Sequence, residues 1–237
     1  VITPTPVYYP FLHAAEHNDR PVSHLPMRLV DDRWLPDFDV LEQLAADADL
    51  LLLCNPHNPG GTVFSRAELE RIADIAERHD LIVCSDEIHC DLILEPQARH
   101  IPFASLSPAA ARRSAVLMAP SKTFNIPGLC CSFAIIPDAR LRHQLQQAMR
   151  GLMADNNLLG FIAAEAAYAD GDEWLQAQLD YLRGNRDRLM SQLADLPGIR
   201  IAKIEATYLA WIDISALKMD NPIAEFEAGC VGLSAGG

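Results

Sequence analysis

Lysine is scarce in this chain: three residues, Lys122, Lys203 and Lys218, stand against 16 arginines. Arg cannot give up its proton or form an imine, whereas a desolvated Lys does both, so a Lys kept in an Arg-rich composition draws notice. Positive charge is short altogether. The net charge of −13 argues against nucleic acid or an anionic membrane surface as the main partner. No apolar run approaches the roughly 18 residues that a membrane span needs. The start shows no basic, apolar, small-residue succession of a secretory signal, although the chain opens on Val1 rather than Met. The six cysteines form no C-x-x-C pair, and Cys130 and Cys131 are adjacent, a poor geometry for a simple bridge. They read as reduced, buried thiols and point to the cytoplasm.

What is present suits a globular fold. Half of the 237 residues are apolar and 22% are charged, enough for a substantial core. The stretch from Val1 to Asp37 reads as irregular with short strands, and Val40 to Ala48 has helical spacing. Leu50 to Cys54 is a continuous apolar run stopped by Asn55-Pro56, as expected of a strand buried on both faces. Ser65, with Glu68 three residues on, opens a helix to about His79. Leu81 to Cys84, Ala115 to Met118 and Ser132 to Ile136 read as further strands, and Asp138 to Met149 as a helix. This alternation predicts an α/β fold with a doubly wound, mainly parallel sheet. Two helices follow, over 157–169 and 173–193. Strands over 199–204 and 207–214 then suggest part of a smaller α+β unit. The reading is a large domain over 1–180 and a partial small domain over 181–237. The closing run Ser234 to Gly237 looks like an interruption rather than a finished element.

In doubly wound sheets ligands bind beyond the carboxyl ends of the strands. Asn58, Asp86 and Lys122 each lie just past a strand-like run. Lys122 sits in Ser121-Lys122-Thr123-Phe124-Asn125, after the run ending at Met118. A pyridoxal phosphate site needs such a set: a Lys to hold the aldehyde, an acid to keep the ring nitrogen protonated, and a donor for the ring oxygen. Asp86 would otherwise cap the turn that follows it, and Asn58 would be a plain turn-former. His89-Cys90-Asp91 with His100 fits no common zinc spacing, so no metal is expected.

The runs NPHNPGG, SDEIHCD and SKTFNIPG, in that order, resemble the fold-type I pyridoxal phosphate enzymes, the class I/II aminotransferase superfamily. The 28 residues from Asn58 to Asp86 and the 36 from Asp86 to Lys122 suit its pattern. The resemblance implies that Lys122 is the Schiff-base lysine and Asp86 the carboxylate on the pyridine nitrogen. It implies that Asn58 donates to the ring oxygen, Tyr8 stacks on the ring and Ser121 lies on the phosphate. His89 stands where most members carry a Tyr near the ring oxygen. Two positions depart from the family. Ala119 replaces a phosphate-side Ser or Thr, and Cys130 replaces a phosphate-side Arg.

SDEIH, HIPFASL, SKTFNIPGL and TYLAWID are most similar to the cystathionine β-lyase, or cysteine C–S lyase, branch. That branch implies cleavage of a cysteine S-conjugate to a thiol, pyruvate and ammonia, with Lys122 as anchor and general base. An aminotransferase starts from the same deprotonation and remains open, as does a non-catalytic cofactor-binding piece. Family members are longer at both ends and carry elsewhere the Arg that grips the substrate carboxylate. The resemblance therefore implies a homodimer, an amino-acid substrate and weak activity of this stretch by itself.

Overall fold

The structure, a computed structural model, describes residues 1–153 and 155–235. The last two residues of the closing run, Gly236 and Gly237, lie outside it. Nine strands and nine α-helices are found among the described residues. The strands are β1 (Ile2–Thr5), β2 (Ser23–Val30), β3 (Arg33–Pro36), β4 (Leu50–Cys54), β5 (Ile82–Asp86), β6 (Ser114–Met118), β7 (Phe133–Ile135), β8 (Arg200–Ile201) and β9 (Ile212–Asp213). The helices are α1 (Pro10–Ala14), α2 (Phe38–Ala45), α3 (Arg66–Arg78), α4 (Pro108–Arg112), α5 (Pro120–Thr123), α6 (Ala139–Met149), α7 (Leu158–Asp170), α8 (Asp172–Leu193) and α9 (Pro222–Ala228).

Seven strands form one sheet in the order β3-β2-β1-β4-β5-β6-β7. β2, β1, β4, β5 and β6 are mutually parallel, and the two edge strands run antiparallel to their neighbours. The mainly parallel, α/β reading of the sequence therefore holds. β7 departs from the parallel pattern because a single helical turn and a 3-10 turn separate it from β6. So short a connection returns the chain rather than crossing over. The β2–β3 hairpin turns at Asp31 and Asp32, with φ of 50° and 61°. Those are the left-handed values that a tight two-residue turn requires.

Local signals account for the helices. Ser65 and Glu68 close a capping box on α3, and Asp37, Asp138 and Asn157 cap α2, α6 and α7 with their side chains. Leu69, Ile72, Ile75 and Ala76 of α3 press on Leu51, Leu53 and Val83 of the sheet, together with Phe64 and Phe103, to form the main core. A second cluster gathers Leu92, Leu94, Leu179 and Ile204, with Leu182 and Leu189 against it. α8 runs unbroken through residue 180.

The two C-terminal strands are much shorter than the sequence suggests, two residues each. The intervening backbone pairs elsewhere. The Glu205 and Ala206 amides both donate to the Gly61 carbonyl, at 3.0 and 2.9 Å, and the Leu94 and Glu95 amides donate to the Glu205 carbonyl. Gly61 has φ of +73°, and a Cβ there would meet the Ile204 Cα at 3.3 Å. Arg33 fastens the same region. It donates to Glu205 (2.9 Å) and Glu68 (2.7 Å), and Glu205 also accepts from the Val63 amide at 2.9 Å.

Candidate active site

Four neighbouring parallel strands deliver the candidate residues to one edge of the sheet. β1 leads to Tyr8, β4 to Asn58, β5 to Asp86 and His89, and β6 to Ser121 and Lys122. Backbone and side-chain bonds lace these ends together. His57, next to Asn58, donates from Nε2 to the Pro6 carbonyl at 3.0 Å, which ties the Asn58 loop to the Tyr8 loop. The Asn55 amide donates to the Asp86 carbonyl at 3.0 Å, and the Glu87 amide to the Leu117 carbonyl at 2.9 Å. The edge is thus one connected frame, at the end of a doubly wound sheet where ligands bind.

Asp86 ends β5. One carboxylate oxygen accepts from the Ile88 amide at 3.1 Å, so Asp86 does cap its turn while its other oxygen stays available. Burial raises its proton affinity above the usual carboxylate range and the Glu87 charge adds to this, against the Ile88 amide and the positive charge of Lys122. A cationic partner would relieve that cost. The flanking thiols stay protonated: burial, then the Asp86 charge, pushes Cys54 up and takes Cys84 to about 11. Lys122, half-buried in α5, acts on His89 as well as on Asp86. His89 is 2% exposed, and its Nδ1 is buried with no hydrogen-bond partner among the described residues. Tyr208 stands edge-on to the His89 ring at 5.6 Å.

Asn58 is half-buried at the tip of its loop. Ser121 is half-buried beside Lys122, and Tyr8 is 40% exposed with its ring 5.2 Å from that of Tyr9. The charge of Lys122 reaches both Asp86 and His89, and Asn58, Ser121 and Tyr8 follow the carboxyl ends of β4, β6 and β1.

Two histidines predict a response to acid. Burial pushes both His57 and His89 down to about 4, with the Lys122 charge adding to the effect at His89 and the Pro6 carbonyl opposing it at His57. Folded, both are neutral at pH 7, whereas unfolded they take up a proton near 6.5. Between pH 6.5 and about 4 the unfolded chain binds more protons, so stability falls as pH falls. Lowering the pH from 7 to 5 should cost about 2 kcal/mol per histidine, read as a drop in the urea midpoint. His57→Asn should remove its share of that slope. The same slope in that variant as in the wild type would contradict this account.

The orphaned His89 Nδ1, the carboxylate at a strand end and a lysine whose charge reaches both suit a flat heterocyclic cofactor that carries an aldehyde. The profile of "Aminotransferase class I and II" matches residues 1–225. The chain belongs to the class I and II aminotransferase family. Within that family it is 40% identical over 225 residues to cystathionine beta-lyase PatB of Bacillus subtilis (strain 168), covering 93% of this chain and 58% of PatB. It superposes on the solved structure of OvoB with a TM-score of 0.96 and 49% identity, over 99% of this chain and 62% of OvoB. It superposes on cystalysin from Treponema denticola, whose crystal structure contains a pyridoxal 5'-phosphate cofactor, with a TM-score of 0.93 and 34% identity. That match covers 98% of this chain and 61% of cystalysin. The chain thus spans about three-fifths of the length of these three relatives.

Sequence reasoning missed the supports behind the site. Glu87, wholly buried, accepts from Ser85 Oγ (2.9 Å), the Phe103 amide (2.9 Å) and His100 Nε2 (2.7 Å). Its signal was only a carboxylate one residue beyond Asp86. Tyr208 lies in TYLAWID, where nothing local marks it as the neighbour of the His89 ring.

Proposed function

We propose that this chain holds pyridoxal phosphate on Lys122 and that the full-length protein is a carbon–sulfur β-lyase. It cleaves cystathionine or a related cysteine S-conjugate to a thiol, pyruvate and ammonia. The observation that carries this is the placing of Lys122, Asp86 and His89 at one laced strand edge, in a chain 40% identical to a cystathionine β-lyase.

The bound cofactor supplies an electron sink for the pair left behind at the substrate Cα. The chain's own residues do the rest. The Lys122 amine anchors the cofactor while the site waits and, once substrate has taken its place, removes the Cα proton. Asp86 would hold the ring nitrogen, and its raised proton affinity would favour a cationic N–H there. Asn58 would donate to the ring oxygen, and His89, neutral and with one ring nitrogen unpartnered, could donate there too. Tyr8 would stack on the ring, and Ser121 would take part of the phosphate.

The wider reading includes a large domain over 1–180, a small one over 181–237, and a homodimer. Exposed Leu158, Leu159, Phe161 and Ile162 on α7 support burial against further polypeptide. The six free cysteines support the cytoplasm, and no helix among the described residues is long and apolar enough to cross a membrane.

Purified full-length protein supplied with cystathionine alone tests the reading. Thiol and pyruvate should form without any keto acid, from a species that sediments as a dimer. Turnover that depends strictly on an added keto acid would replace the lyase with an aminotransferase.

A further inference from the structure

α5, which carries Lys122, is four residues long. A helical turn of that length has no stability of its own, so its position is set by what grips it. Two side chains do so. On one flank Phe124 wedges between the ends of α7 and α8. Its ring lies 5.7 Å from that of Tyr168 and 6.2 Å from that of Trp174. A Cβ on Gly171 would come within 2.5 Å of it. On the other flank Thr123, 1% exposed, donates from Oγ1 to Asp91 Oδ2 at 3.0 Å.

Asp91 belongs to the turn that follows β5. The Cys90 amide donates to the Glu87 carbonyl at 2.9 Å and the Leu92 amide to the His89 carbonyl at 3.0 Å, so the turn is wound tightly. Its side chains divide into two sets. Asp86 and His89 feel the charge of Lys122. Glu87 is anchored to Ser85, Phe103 and His100, and Asp91 to Thr123.

We propose that Asp91 is a positioning residue that, through the Thr123 hydroxyl, fixes the amine of Lys122 against Asp86 and His89. The inference rests on the reading of Lys122 as the cofactor lysine. The bond joins the residue next to that lysine to the turn bearing the acid, across two strands and with no intermediary. A reacting amine displaced by about 1 Å loses on the order of a hundredfold in rate, so a tie at this point governs chemistry as well as stability. The titratable groups that feel the Asp91 charge are Cys90 and Tyr168, Glu87 acts on Cys90 as well, and Lys122 is the chain neighbour of Thr123. Burial, then the Asp91 charge, raises the Cys90 thiol and takes the Tyr168 phenol up to about 12, so neither competes as an anion at neutral pH.

The test uses full-length protein stripped of cofactor and then given pyridoxal phosphate. The rate at which the visible band returns reports attack by the lysine amine, and the pH midpoint of that band reports its electrostatic setting. Thr123→Val keeps the shape and removes the hydroxyl. Thr123→Ser keeps the hydroxyl. Asp91→Ala removes the acceptor from a half-exposed position and serves if the valine variant fails to fold. Thr123→Val and Asp91→Ala should slow the return about tenfold and move the midpoint by about half a pH unit, with Thr123→Ser close to wild type. Wild-type rates and midpoints in Thr123→Val and Asp91→Ala would overturn the proposal. So would a serine variant as slow as the valine one. Borohydride reduction of the wild type separates this from the underlying reading. A label on Lys122 keeps the reading whatever the Thr123 variants do, and a label elsewhere removes it.

Discussion

Replacing Lys122 with Ala should abolish the visible cofactor band and lower β-elimination by about 10⁴-fold or more, because one side chain is both anchor and proton acceptor. Lys122→Arg should fare no better, since a guanidinium keeps its proton and makes no imine. The other two lysines are poor substitutes. Lys203 is half-exposed and lies 3.3 Å from Glu205 and 3.6 Å from Glu95. Lys218 follows a 3-10 turn in the left-handed region, at φ of 52°. Neither is carried by the strand edge that holds Asp86. Absorbance spectra of the purified variants, with a pyruvate assay, check the prediction. A visible band surviving in Lys122→Ala would remove Lys122 from the site.

Asp86→Asn should keep the fold and lower turnover by about 10³-fold. The amide has nearly the shape of the carboxylate, and its oxygen can still accept from the Ile88 amide. What it lacks is charge. In wild type a half-buried carboxylate with raised proton affinity lies within reach of the Lys122 charge, and under the proposed function a cationic ring nitrogen would satisfy it. Asparagine gives that nitrogen no reason to hold a proton, so the electron sink weakens. Asp86→Glu restores charge at the wrong reach and should fall between the two. Steady-state kinetics on all three, with cofactor affinity measured separately, distinguish lost chemistry from lost binding. Equal activity in Asp86→Asn and wild type would show that the carboxylate does not serve the ring.

Much of this was legible in the sequence because the signals are local. Ser65 and Glu68 announce α3 three residues apart, and the capping box is present. The unbroken run from Leu50 to Cys54 is a central strand with parallel neighbours on both sides. Lys122, Asp86 and Asn58 could be chosen because each follows such a run, and a parallel sheet sends all those ends to one edge. What stayed hidden depends on contacts between distant segments. Ile199 to Ile204 has the composition of a strand, yet the Gly61 carbonyl and the Leu92 to Glu95 segment capture the backbone just beyond it. Nothing in the run SDEIHCD separates Asp86, the proposed partner of the ring, from Glu87 and Asp91, whose carboxylates are taken up by other side chains and amides. Apart from Ser85, those partners are His100, Phe103 and Thr123, up to 32 residues away.

α7 carries only two charged residues, Glu165 and Asp170, and within it only Gly160 is buried. A cylinder so largely greasy is at ease only when enclosed. Produced as these 237 residues and no others, the protein would therefore be a sticky particle, inclined to clump through Leu158, Leu159 and Phe161 before any test of catalysis could begin. Handling it well means shielding that helix first.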